Sequence, residues 1–188
     1  MNKGISHANG SFIYMLNSGD TLVNDCLQLV SSYLLQNPDC VVYGAIDCYK
    51  NNVYEYSLSH SDNDLYTMMI PHQGTFVPKA LHDKYGLYNE DFKIVADREF
   101  MVRLKNNGVS FVHIPVIVCI YNLEGISSQN SKIEDKENLT ITNSFLSGRT
   151  IFLNKIRHVF RVILELLLPG FISIPFILLI RKLRNKNN

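Results

Sequence analysis

The chain has 188 residues, 46% of them hydrophobic and 19% charged, which is enough for a real core and excludes a largely disordered protein. Its formal net charge of +1 gives no global attraction to nucleic acid, so no nucleic-acid partner is expected. The charge is uneven all the same: Arg157, Arg161, Arg181, Lys182, Arg184 and Lys186 crowd the C-terminus.

In chain order, residues 1–8 suit a helix stopped by Asn9-Gly10. Residues 11–16 read as a strand that runs into Asn17-Ser18-Gly19-Asp20. Asp20 or Thr21 can cap a following helix, in which Leu22, Cys26, Leu29, Val30, Tyr33 and Leu34 share one face up to Asn37-Pro38. Residues 40–49 and 53–58 read as two strands of a hairpin around Lys50-Asn51-Asn52. Residues 59–64 form a polar loop. A short strand at 74–77 leads through Pro78 into a helix ending near Tyr85-Gly86.

The spacing predicts a helix over 96–106, a strong strand over 110–120 and a polar loop over 124–136. From Ile151 the chain reads as helical and increasingly apolar. The order is mixed α/β with one apolar tail and no internal repeat. The four cysteines, Cys26, Cys40, Cys48 and Cys119, have no CxxC pairing and apolar neighbours, as reduced core residues of an intracellular protein do. Residues 1–10 contain no apolar stretch of the kind a secretory leader needs.

Three segments, "MNKGISHANGSFIYMLNSGD", "HQGTFVPKALHDKYGLYNEDFKIVADREFMVRLKNNG" and "FVHIPVIVCIYNLEGISSQN", occur in an order and spacing that resemble the family-2 glycosyltransferases of bacterial polysaccharide biosynthesis. The apolar, basic C-terminus adds to the likeness. The resemblance implies part of a GT-A fold, that of nucleotide-diphospho-sugar transferases, over residues 1–130. A linker or helix over 131–150 and an apolar helical, membrane-associating tail over 151–188 would follow. The family's nucleotide-binding half has no counterpart in these 188 residues, so the resemblance implies a C-terminal part of such an enzyme. The implied reaction moves a sugar from a nucleotide-sugar donor to a glycan or lipid-linked acceptor with inversion.

Each site residue has a functional and a plainer reading. Asp20 sits where the family places an Asp-x-Asp-type motif and is the expected ligand of a weakly held Mn2+ or Mg2+. Such an ion neutralises the leaving diphosphate. Asn17 and Gly19 stand in that motif's other acidic places. Asn17 can still offer a neutral oxygen on the cofactor side. The plainer reading makes Asn17–Asp20 a turn and Asp20 a helix cap. Asp97, at the start of the 96–106 helix, matches the family's catalytic base; a helix start favours an anion there. The plainer reading makes it a cap.

His72 and Gln73 fall in the acceptor-side segment, although a lone histidine is more often structural. Ser127, in Gly125-Ile126-Ser127-Ser128, matches a loop used near the diphosphate, or lies in an ordinary surface loop. Arg103, inside a helix, reads as an ion-pair partner.

The stretch 162–180 contains one charge, Glu165, and has nearly the length of a membrane span. Pro169-Gly170 and Pro175 break it, which favours a bent interfacial anchor over a spanning helix or a buried helix pair. Flanking cations then suit anionic headgroups, which places the chain at the cytoplasmic face of a membrane, peripheral or monotopic. Two other functions compete: a non-catalytic remnant or partner subunit of a split glycosyltransferase, and a membrane-surface scaffold.

Overall fold

A computed structural model of the chain describes residues 1–66, 69–124 and 131–145. All of these lie in one unit, Met1–Phe145; the second unit, Leu146–Asn188, lies outside the described residues, and so does the expected membrane-associating tail. Among the described residues no helix is long and apolar enough to cross a membrane.

Six strands make one mixed sheet in the order β1-β5-β3-β6-β2, with β4 also paired to β3. The strands are β1 (Phe12–Tyr14), β2 (Thr21–Leu22), β3 (Val41–Lys50), β4 (Val53–Leu58), β5 (Thr75–Pro78) and β6 (Phe111–Asn122). The helices are α1 (Asn2–His7), α2 (Cys26–Gln36), α3 (Lys79–Tyr85), α4 (Ala96–Asn106) and α5 (Ser131–Phe145). Among the described residues only β3 and β6 run parallel; every other pair is antiparallel.

β3 is central and buried along most of its length, because both of its faces are covered. On one face Val41 and Tyr43 pack with Ile13, Val77, Leu81, Phe100 and Leu104. On the other, Val42, Ile46 and Cys48 pack with Cys26, Val30, Phe76 and Val118. Each such large apolar side chain contributes about 1.5–3 kcal/mol by leaving water. The β3–β4 hairpin turns on Asn51 and Asn52, both at positive φ (49° and 61°), as a tight hairpin turn needs. Gly86, at φ +87°, ends α3 where the sequence pattern places its stop.

Two expectations fail. Asp20 and Thr21 do not cap a helix. Thr21 and Leu22 pair instead with Ile120 and Cys119 of β6, and Val23 N–H donates to Val118 O at 3.0 Å. The open edge of β6 offers partners to backbone groups that a helix start would leave orphaned, so the edge prevails. The helix begins only at Cys26, after Asp25 turns the chain at φ 57°. The second failure is the polar loop expected through Lys136, which is helical from Ser131. Its sparse apolar pattern becomes a helix by docking: Ile141 is buried against Val95 and Val102. The four cysteines are free, three of them buried, and Cys40 is half-buried.

The center of the sheet is shaped by two glycines. Between Tyr43 and Ala45, β6 advances from His113 to Ile117, so a bulge containing Pro115 lies opposite Gly44. A Cβ on Gly44 would meet Val116 O at 2.3 Å, and one on Gly74 would meet Gly44 O at 2.7 Å. The backbones of β3, β6 and the 3-10 turn at His72–Gly74 therefore touch directly. That contact sets the turn, and with it His72 and Gln73, at one place on the sheet.

Candidate active site

The turn after β1 is closed by Asp20 N–H donating to Asn17 O at 3.2 Å, with Gly19 at φ +93°. Only glycine takes that φ without strain. Asp20 Oδ1 then accepts from Asn122 N at 3.0 Å, which ties the turn to the end of β6. Its other oxygen, Oδ2, is buried with no hydrogen-bond partner. Burial raises the Asp20 carboxyl above the ordinary carboxylate range, against the opposing pull of the Asn122 N–H, the His72 ring and the nearby Gln73 amide.

The His72–Gly74 turn is held by Gly74 N–H and Thr75 Oγ1, which both donate to Pro71 O (3.0 and 2.8 Å). Tyr14 on β1 donates its hydroxyl to Gln73 O at 2.7 Å. His72 Nδ1 lies 2.6 Å from Asp97 Oδ2. Its other nitrogen, Nε2, lies 2.9 Å from Asn17 Nδ2. Asn17, His72 and Asp97 thus form one polar chain, and Asp20 lies close enough to feel the charge of the same ring.

Asp97 is in the first turn of α4 but is not its cap; Val95 holds that place and gives no side-chain bond. Asp97 Oδ1 accepts from Arg98 N at 2.8 Å. The backbone entering the helix is held from a distance. Glu137 on α5 accepts from Lys93 N at 2.8 Å, Ile94 N at 3.0 Å and Val95 N at 3.1 Å. Burial alone would raise the Glu137 carboxyl, but these three donors outweigh it and bring it below the ordinary range.

Asn138 accepts from Arg98 Nη1 at 2.7 Å, and Arg98 Nη2 reaches Tyr66 O at 3.0 Å. Burial lowers the Arg98 guanidinium from its usual range, and Asp97 opposes the shift. Glu134, also on α5, is raised by burial and then by the charges of Asp135 and Asp97.

The expected site residues sort as follows. Asn17, His72 and Asp97 are in direct contact, and Asp20 and Gln73 are beside them. Gln73 is buried, with its amide near Asp20. Ser127 lies outside the described residues. Arg103 pairs with Glu99 as its spacing suggests, at 2.9 Å through both Nε and Nη2. Sequence reasoning missed Asn122, Arg98, Glu137 and Asn138. Nothing in the linear pattern marks them, because each acts across 32 or more positions.

Among the described residues no three His, Cys, Asp or Glu side chains gather as a metal site. A single carboxylate with one unpartnered oxygen is too few protein ligands to build a divalent-ion site alone.

No family model matches the chain. A PGL/p-HBAD biosynthesis glycosyltransferase of Mycobacterium bovis is 29% identical over 140 residues, 73% of this chain and 54% of that protein. This chain is thus similar in sequence to a protein named as a glycosyltransferase. A Mycobacterium tuberculosis protein named only as an uncharacterized glycosyltransferase is 28% identical over 141 residues, 68% of this chain and 51% of its own length. The glycosyltransferase-like chain thus spans about half the length of the curated relatives it matches. Its fold is similar to that of Staphylococcus aureus TarS residues 1–349 in complex with UDP-GlcNAc. The TM-score is 0.55 at 14% identity, over 77% of this chain and 50% of that one.

Proposed function

We propose that this chain takes part in inverting transfer of a sugar from a nucleotide-sugar donor to a glycan or lipid-linked acceptor, on a GT-A-type scaffold. The observation that carries the reading is the meeting of the 17–20 turn, the His72–Gly74 turn and the start of α4 at one place. Leaving group, acceptor and base must act on one anomeric carbon, so their residues must converge.

In this reading Asp97 supplies the negative charge that drives removal of the acceptor proton. Asp20 faces the leaving diphosphate, with Asn17 on the same side, and His72 and Gln73 are on the acceptor side; Ser127, outside the described residues, keeps the diphosphate role that its loop implies. Mn2+ or Mg2+, held by Asp20 and mainly by the diphosphate, would supply charge neutralisation as the donor bond breaks. The apolar, basic tail would hold the chain at the cytoplasmic face of a membrane, where a lipid-linked acceptor is found.

Membranes bearing the chain should move radiolabel from UDP- or GDP-sugars, with manganese, into a lipid or glycan fraction. Membranes bearing Asp97→Asn should not. Failure of the unaltered chain with every donor would sink the catalytic reading.

A further inference from the structure

We propose that the acceptor proton is taken by Nε2 of His72, with Asp97 as the buried carboxylate that holds the imidazole and balances its charge. This rests on the glycosyl-transfer reading and names the atom that performs its proton step. Three observations point to it.

First, both oxygens of Asp97 are engaged: Oδ1 by Arg98 N–H at 2.8 Å and Oδ2 by His72 Nδ1 at 2.6 Å. The Asp97 side chain is 6% exposed and that of His72 is 16%, so the ring is the more open of the two to solvent. Second, an N–H donated from Nδ1 to a carboxylate makes Nε2 the bare nitrogen of a neutral imidazole. Third, a donor already faces that nitrogen. The Asn17 amide points Nδ2 at Nε2 from 2.9 Å, on an exposed turn, where an acceptor O–H would point its proton. Asn17 is the group the acceptor hydroxyl displaces.

The step balances. The acceptor oxygen bonds to the anomeric carbon as its proton passes to Nε2. The bond from that carbon to the diphosphate breaks, and the diphosphate leaves with the electron pair. The imidazolium is then paired with Asp97 and returns its proton to water. Asp97 Oδ2 lies against the ring and Asp20 feels its charge, while Glu134, Tyr88 and Arg98 in turn feel the charge of Asp97.

The test has two arms on the 188-residue chain. In the first, long-range 15N–1H NMR correlations read the His72 tautomer without any substrate. The expected result is the Nδ1–H form, lost in Asp97→Asn; an Nε2–H form in the unaltered chain overturns the dyad.

The second arm compares transfer by His72→Asn with His72→Ala. Asn keeps a donor aimed at Asp97 but carries no base, so both variants should lose about 100-fold or more in kcat. Retention of activity by His72→Asn alone would make His72 a positioning residue and Asp97 the direct base, and would overturn the proposal. If the unaltered chain transfers no sugar while showing the Nδ1–H tautomer, the glycosyl-transfer reading fails. The proton step is then overturned too, and the dyad stands as structure only.

Discussion

Two histidines approach the same helix and meet opposite fates. His72 is partly exposed, lies 2.6 Å from Asp97 on one side and 2.9 Å from Asn17 on the other. His82 on α3 is 2% exposed, and neither of its ring nitrogens has a hydrogen-bond partner. It stacks flat on Phe100 at 4.4 Å between ring centroids, and meets Tyr88 edge-on. α4 supplies both neighbours, Asp97 in its first turn and Phe100 one turn later. Where the helix offers a carboxylate, a histidine is held in a polar chain. Where it offers a ring, the histidine serves as a flat core side chain whose titration costs stability. Burial holds the His82 imidazole neutral, down to a pKa of about 4.

The largest effect that can break this contrast is on transfer. Asp97→Asn should lower the rate by about 100- to 10,000-fold, while His82→Phe should leave it within a few-fold. Equal losses in radiolabel transfer would mean that His82 belongs to the site.

Next in size is stability against pH. Unfolded His82 takes up a proton near its ordinary value of 6.5, and folded His82 does so only near 4. Its contribution is therefore intact above pH 6.5 and is lost as the pH falls toward 4, by about 3 kcal/mol in all. Urea unfolding at pH 7 and pH 4.5 should show that loss in the unaltered chain and much less of it in His82→Phe. An unchanged slope in the variant would assign the acid sensitivity elsewhere.

A smaller change separates the turn that carries His72 from the helix that carries its partner. Gly74→Ala forces a Cβ to within 2.7 Å of Gly44 O, a backbone atom that cannot step aside. The expected cost is about 1–3 kcal/mol, with the His72 NMR signals displaced and those of His82 unmoved. Movement of both sets would show that the two regions are one cooperative unit.

The smallest effect is expected at α5. Glu137→Gln keeps acceptor oxygen but loses the charge that holds the Lys93, Ile94 and Val95 N–H groups, at a cost of about 1 kcal/mol. Because this carboxyl lies below its ordinary range in the fold, its contribution is present above about pH 4.5 and fades as the pH falls further. Thermal melts of the two forms should differ at pH 7 and converge near pH 3.

What could be read in the chain itself was the part set by local forces. Periodicity placed α4 at 96–106, the two asparagines placed the β3–β4 turn, Gly86 ended α3, and the spacing of Glu99 and Arg103 gave their ion pair. The quoted segments singled out Asn17, Asp20, His72, Gln73 and Asp97 before any geometry was known. Tertiary structure alone decided how these residues meet. The open edge of β6 turned Thr21–Leu22 into a strand and moved the helix start to Cys26, because backbone groups at an edge bond to the nearest partner whatever the local propensity. The contact of Gly44 with Gly74, 30 positions apart, set the His72 turn against the sheet, since only there could backbones approach without side chains between them. α5 took its place through Glu137 and Asn138, whose partners lie more than 30 residues upstream. No local pattern records such contacts, because they depend on which surfaces the folded sheet leaves open.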